Sequence, residues 1–203
     1  MLRALLVSLL IWPAFAAAEP AETLPKRLVE GGYAQIGVTV SYDPSYRQIP
    51  FPGGDVPQAA GVCTDVVIRA YRRLGIDLQA LVNQDMRRDF SAYPTIWHMT
   101  HPDPNIDHRR VPNLATFFRR HGQSLAVTAD PLDYRPGDIV TWTLPGGLGH
   151  IGLVADRYEE GRPLVVHNIG AGARLEDVLF VFKITGHYRY LPRETGERSV
   201  HPS

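Results

Sequence analysis

The sequence predicts an α+β protein in which a helical N-terminal half packs on an antiparallel β-sheet. Amphipathic helical patterns lie within residues 62–121, whereas short runs rich in valine and isoleucine, separated by glycine and proline, fill residues 124–190. Helices followed by consecutive short strands favour an antiparallel sheet over an alternating, parallel one. A chain of 203 residues with 44% hydrophobic side chains can bury a sizeable core.

The beginning of the chain has the pattern of a cleaved secretory signal over residues 1–18. Arg3 supplies the positive start, residues 5–12 supply the apolar run, and Ala16 and Ala18 are small residues suited to cleavage. A membrane anchor is the alternative, but the apolar run is shorter than the roughly 20 residues of a spanning helix. We therefore expect a periplasmic or secreted protein with no stable membrane anchor after cleavage.

The rest of the chain predicts one domain over residues 19–191 and a flexible tail over 192–203. Lys plus Arg number 21, as do Asp plus Glu. Loss of residues 1–18 removes only Arg3 among the charges, so 20 basic and 21 acidic side chains leave a net charge of −1. This balance argues against nucleic acid as a partner. We expect a monomer that needs no cofactor.

The periodicities give the following elements. A strand near residues 38–43 has Val38, Val40 and Tyr42 on its dry face. Helices are expected at 62–74, 77–90 and 112–121, with a polar loop over 91–110. The strands that follow are expected at 124–128, 138–143, 150–156, 164–168 and 179–190.

Cys63 is the single cysteine of the sequence, so an intramolecular disulfide is impossible. It lies in the first turn of a predicted helix, where free backbone N–H groups and the helix dipole favour a thiolate. Asp65 either opposes this effect or caps the helix. Most free cysteines are small buried hydrophobes, which is the alternative here.

Two later segments end in histidine at predicted strand termini. GGLGHIGLV places His150 at the start of a strand, and PLVVHNIG places His167 and Asn168 at the end of the next. If these strands form a hairpin, the two ends lie side by side. Cys63 would then be a nucleophile and His150 its base, with His167 or Asn168 orienting the imidazole.

The order of these motifs resembles the papain-like NlpC/P60 cysteine peptidases of the cell wall. The matching segments are GVCTDVVIRAYRRLGI at 61–76, RPGDIVTW at 135–142, GHIGLVAD at 149–156 and VVHNIG at 165–170. The resemblance implies a papain-like fold with Cys63 as nucleophile, His150 as base and His167 as third member. It also implies a tyrosine near the sulfur, for which Tyr42 and Tyr46 are the two candidates.

The chain also departs from the NlpC/P60 pattern. Val62-Cys63-Thr64 replaces the usual Asp-Cys-Ser, and a long insertion over 80–122 separates the cysteine from the sheet. The sequence more closely resembles the bacterial family DUF1287, through PGGDVP, GVCTDVVIRAYR, DPNIDHRRVPNL, YRPGDIVTW and HNIG. This second resemblance implies a structural or substrate-contacting loop with Asp107, His108 and Arg109 at its centre.

These observations predict an exported thiol hydrolase that cleaves an amide bond, with peptidoglycan peptides as the expected substrate. Hydrolysis, transpeptidation and deamidation share an acyl-enzyme and stay open. The alternative is a non-catalytic wall-binding or assembly module that keeps the papain-like shell.

A metal site is the competing interpretation of the loop over 91–110. His98 and His101, followed by Asp103, Asp107 and His108, are residue types that bind zinc. The prolines at 94, 102 and 104 make a regular helix unfavourable there, and therefore disfavour the shared helical face that two histidines three apart would need. We expect a polar loop beside the cleft and no metal.

Overall fold

The computed structural model describes residues 23–191. The signal segment predicted at 1–18 and the tail predicted at 192–203 lie outside this range. None of the helices within the described residues is long and apolar enough to span a membrane. The α-helices are α1 (Leu24–Tyr33), α2 (Cys63–Arg72), α3 (Leu78–Arg88) and α4 (Val111–His121). Short 3₁₀ helices cover Phe90–Ala92, Asp107–Arg109 and Pro131–Asp133.

Eight strands complete the described part of the chain. A two-stranded parallel ladder joins β1 (Ser41–Tyr42) to β2 (Ala60–Gly61). The main sheet is antiparallel in the order β3-β8-β4-β5-β6-β7. Its members are β3 (Gln123–Ser124), β4 (Ile139–Thr143), β5 (Gly149–Glu159), β6 (Arg162–His167), β7 (Arg174–Glu176) and β8 (Lys183–Arg189). The predicted α+β class, with helices before an antiparallel sheet, is confirmed.

The apolar positions of α2 explain how the helical layer sits on the sheet. Val67, Ile68 and Tyr71 are buried, and they share a core cluster with Ile151 and Leu153 of β5. A second cluster lies around Tyr134, Trp142 and Val154. Alternate residues of β5 therefore contribute to different clusters, as expected for a strand covered on both faces.

The predicted strand over 38–43 is wrong in its extent and in its buried face. Only β1 pairs, and Val38, Val40 and Tyr42 are 49%, 59% and 40% exposed. Thr39 is buried instead, since its hydroxyl donates to the Gln58 carbonyl and accepts from Arg69. Tertiary hydrogen bonds thus override the apolar alternation.

The later strands also differ from their predicted bounds. The expected strand at 124–128 pairs only over β3, and the expected run at 179–190 is regular only over β8. The prediction missed β7, which returns along β6 after a glycine-containing turn. That omission matters because β7 carries a residue of the candidate site.

Candidate active site

Cys63 begins α2 and lines a cavity of about 490 Å³, although the residue is only 3% exposed. The backbone N–H of Val62 donates to Asp65 Oδ2 over 2.6 Å, so this carboxylate caps the helix start. Arg109 holds the same carboxylate through two contacts of 2.9 Å. Of the two positions considered for Asp65, the structure shows the helix cap.

The sulfur of Cys63 meets the start of β5. The backbone amide of Ile151, the residue after His150, hydrogen-bonds the sulfur and lowers the pKa of the thiol. Burial has the larger and opposite effect, and the Asp65 carboxylate adds to it, so that the pKa of Cys63 is raised to about 12. The thiolate expected from the helix terminus is therefore not the resting form, because desolvation outweighs the backbone dipoles.

His150, His167 and Glu176 form one hydrogen-bonded chain across three neighbouring strands. His150 Nε2 lies 2.9 Å from His167 Nδ1, and His167 Nε2 lies 2.9 Å from Glu176 Oε2. The sheet register explains the chain. Leu153 pairs with Val166, which sets His167 diagonally to His150, and His167 pairs with Arg174, which sets Glu176 diagonally to His167.

The chain of contacts fixes the histidine tautomers. The Glu176 carboxylate only accepts, so His167 Nε2 carries the proton and donates it. Burial lowers the pKa of His167 against the raising effect of Glu176. Nδ1 of neutral His167 must then accept the Nε2–H of His150, which leaves the lone pair on His150 Nδ1. Burial and the neighbouring His167 lower the pKa of His150 to about 3, so its ring is neutral as well.

Within residues 23–191, no hydrogen bond joins the His150 ring to the Cys63 sulfur. The resting arrangement is consequently a neutral thiol and a neutral imidazole rather than a thiolate–imidazolium pair.

Among the described residues, no hydrogen bond joins Asn168 to the His150 ring, although the sequence left Asn168 as a candidate third member. Its side-chain amide donates to the carbonyl of Gly61 at 3.0 Å and to that of Ser41 at 3.3 Å. Its Oδ1 accepts from the amide of Gly170. Asn168 therefore ties the end of β6 to the ladder that precedes Cys63, while His167 contacts His150.

The two tyrosine candidates occupy different places. Tyr42 lines the cavity with Cys63, and its pKa is raised to about 12 by burial and then by its proximity to the ionisable Cys63 and Asp65 side chains. The Tyr46 hydroxyl donates to Asp103 Oδ2 and accepts from the Asn105 amide, each at 3.0 Å. The structure therefore brings Tyr42, not Tyr46, to the candidate nucleophile.

The central loop residues divide into support and lining. Asp107 and His108 are 1% and 2% exposed and do not line the cavity. Arg109 lines it, but each of its three guanidinium nitrogens already donates, to Asp65 or to the carbonyls of Asp43 and Ser45. Of the structural and substrate-contacting roles that the family resemblance implied for this loop, burial favours the structural one for Asp107 and His108.

The histidines and aspartates of the same segment, which were considered as zinc ligands, do not form a metal site in the described part of the chain. In the described range, no group of three or more His, Cys, Asp or Glu side chains has a metal-binding arrangement. His101 Nδ1 contacts the neighbouring Thr100 hydroxyl at 3.2 Å.

Glu176 is the member of the candidate site that sequence reasoning missed. Its position depends on β7, whose three residues carry too little pattern to predict a strand. The available signal was a glycine-rich turn directly after the His167 strand, which permits the chain to return along β6.

These features define an α+β protein with a cysteine–histidine–histidine–glutamate arrangement at one end of the sheet. The family model described as Domain of unknown function (DUF1287) matches residues 29–190, and the chain belongs to that family. The sequence is 56% identical over 164 residues, 80% of each chain, to the Uncharacterized protein YijF of Escherichia coli (strain K12).

A similar solved structure is NlpC1 from Trichomonas vaginalis. It shares 16% identity with a TM-score of 0.45 over 82% of this chain and 44% of that chain. The chain thus spans less than half of that protein's length.

Proposed function

We propose that the protein is an exported thiol hydrolase that cleaves an amide bond in peptidoglycan peptides. The observation that carries the proposal is the chain Glu176–His167–His150, which leaves Nδ1 of His150 unprotonated and able to accept a proton. The amide after that histidine contacts the Cys63 sulfur. The motif order shared with NlpC/P60 peptidases supports the same assignment, and the signal predicted at residues 1–18 would deliver the enzyme to the wall.

The chemistry follows from the resting protonation states. Because the thiol is neutral, its proton passes to His150 Nδ1 as the Cys63 sulfur bonds to the substrate carbonyl carbon. The carbonyl oxygen becomes an oxyanion, which the backbone N–H of Cys63 and the Tyr42 hydroxyl can stabilise. The oxyanion then collapses, the C–N bond breaks, and His150 returns the proton to the leaving amine.

Water completes the turnover. It attacks the thioester carbonyl while His150 accepts one of its protons, and the C–S bond then breaks. The proton returns to the sulfur, so that the products are a carboxylic acid and the original thiol. His167 keeps His150 in the required tautomer throughout, with Glu176 as its acceptor.

Incubation with purified sacculi tests the proposal. Wild type should release peptide fragments, whereas Cys63→Ala and His150→Gln should reduce release to the background rate. His101→Gln, which changes an exposed histidine, should retain full release. Equal products from wild type and Cys63→Ala, or none from either, would reject hydrolysis of this substrate.

One observation favours a second candidate, a non-catalytic wall-binding or assembly module. Cys63 is buried, its pKa is raised, and its sulfur forms no hydrogen bond with the His150 ring within residues 23–191. If the protein is such a module, the wild type and Cys63→Ala should bind sacculi equally well, and neither should release fragments. Sedimentation with sacculi, measured alongside fragment release, separates the two functions.

A further inference from the structure

Among the residues that the structure describes, the only charged ones that line the Cys63 cavity are arginines. Arg109 and Arg110 line it, together with apolar side chains that include Ile96 and Leu148, and no aspartate or glutamate of residues 23–191 does so. A volume of about 490 Å³ falls within the range of small-ligand sites. The cavity therefore suits a partly apolar ligand that carries negative charge.

The two arginines differ in which donors they have left. Arg109 directs its Nε and Nη2 edge at the Asp65 carboxylate, with both contacts at 2.9 Å. Arg110 uses only Nη1, which lies 2.9 Å from Asp107 Oδ1. Its Nε and Nη2 groups have no hydrogen-bond partner within residues 23–191. Neither atom is among the buried polar atoms without a partner, so both remain exposed to a ligand. The edge that binds a carboxylate bidentately in Arg109 is thus accessible in Arg110.

Arg110 is held in place before any ligand binds. Its guanidinium carbon lies 4.1 Å from the centroid of the Trp97 ring. Asp107, its acceptor, is 1% exposed and is fixed in turn by the backbone amide of Asp103. A guanidinium held by a ring and by a buried carboxylate loses little conformational entropy when it binds a ligand.

The backbone of Arg110 is also anchored next to the candidate nucleophile. The carbonyl of Arg109 accepts a hydrogen bond of 3.0 Å from the hydroxyl of Thr64, the residue after Cys63. Val111, which follows Arg110, packs against Gly149 at the start of β5. A Cβ atom added at Gly149 would lie 3.4 Å from the Val111 side chain. Residues 109–111 therefore lie between the start of α2 and the start of β5.

We propose that Arg110, stacked on Trp97, is a carboxylate-binding subsite, so that the substrate carries a carboxylate close to its scissile amide. The statement that this carboxylate belongs to a substrate rests on the proposed function. Acidic peptides should bind in preference to neutral or basic ones, because the cavity offers a free bidentate donor and no lining carboxylate for an amine.

Binding to Cys63→Ala protein tests the subsite without turnover. The probes are two C-terminally amidated peptides, Ala-Glu-Lys-NH2 and Ala-Gln-Lys-NH2, so that the glutamyl side chain supplies the only carboxylate, and binding is measured by calorimetry. We expect about tenfold tighter binding of the glutamyl peptide, from one charge-assisted bidentate contact. Arg110→Gln should remove that preference and Arg110→Lys should retain only part of it. Arg119→Gln, which changes an exposed arginine of α4, should leave it unchanged.

Equal affinities for the two peptides, including no measurable binding of either at millimolar concentration, would overturn the subsite. So would a preference that survives in Arg110→Gln. Thermal unfolding of each variant checks that the fold persists. Trp97→Leu is a second variant, which keeps the Arg110–Asp107 pair but removes the ring that holds Arg110, and it should weaken the preference for the glutamyl peptide. A preference for the glutamyl peptide without fragment release from sacculi would reject the hydrolase and keep the subsite. Fragment release without that preference would keep the hydrolase and reject the subsite.

Discussion

His167 Nε2 lies 2.9 Å from Glu176 Oε2, and this contact decides which nitrogen of each histidine carries a proton. Replacement of Glu176 by Leu removes the acceptor, so His167 can donate from Nδ1 and His150 loses the unprotonated Nδ1 that would accept the thiol proton. We expect kcat to fall roughly tenfold to hundredfold, as for loss of one hydrogen bond to a charged group. Glu176→Gln, whose carbonyl still accepts, should restore most of the rate.

The tautomers can be measured without a substrate. Nitrogen-15 shifts of the His150 and His167 rings should change in Glu176→Leu and stay close to wild type in Glu176→Gln. Glu159→Leu, an exposed position at the far end of β5, is the matched control. Unchanged ring shifts in Glu176→Leu would contradict a positioning role for this carboxylate.

Cys63 should make the protein less stable at alkaline pH. Its folded pKa is raised from 9.0 to about 12, so its contribution is complete below pH 9 and is lost as pH rises toward 12. By pH 10 the loss should be about 1 kcal/mol of unfolding free energy, since the unfolded thiol ionises and the folded one does not. Urea unfolding of wild type and Cys63→Ser at pH 7 and pH 10 measures the difference. An identical pH dependence in the two proteins would contradict the raised pKa.

The same burial should slow alkylation of the thiol. Iodoacetamide reacts with the thiolate, so modification of the folded protein should stay slow at neutral pH and accelerate throughout the range from 8 to 10. A plateau below pH 8 would instead indicate an activated thiolate. Mass spectrometry of the labelled protein gives the rate, and urea-unfolded protein gives the rate of a free cysteine.

His108 should destabilise the fold in acid. Burial, and then Arg72 and Arg109, lower its pKa from 6.5 to about 3, so its contribution is complete above pH 6.5 and is lost as pH falls toward 3. At pH 5 the loss is about 2 kcal/mol. His108→Gln should lose less stability than wild type between pH 7 and pH 5, and His101→Gln should match wild type. Parallel stability curves for His108→Gln and wild type would show that His108 does not titrate as expected.

The buried pair of Asp65 and Arg109 should be the costliest one to break. Their side chains are 3% and 2% exposed. Arg109→Met leaves the Asp65 charge buried without its partner, which costs about 3–5 kcal/mol. Asp65→Asn combined with Arg109→Met should recover part of that loss, because the asparagine oxygen still accepts from Val62. Denaturant unfolding of wild type and these two variants checks the order, and a double variant less stable than Arg109→Met would contradict it.

Prediction from the sequence succeeded where a local pattern carried the structure. The apolar stripe of α2, ended near Gly75, gave a helix close to its observed bounds, and Val- and Ile-rich runs located β4, β5 and β6. Prediction failed where tertiary contacts oppose the local pattern, as at Thr39, which is buried by hydrogen bonds while the neighbouring valines are exposed.

For the candidate site, the sequence by itself determined which reactive groups are present: one thiol at the start of a helix and histidines at the ends of two strands. Only the tertiary structure decided which groups meet. Strand register, a property of pairing between distant segments, selects His167 over Asn168 and adds Glu176 through a strand too short to leave a pattern. Burial decides the resting charge of Cys63, because the desolvation of a sulfur depends on everything packed around it and not on the helix that carries it.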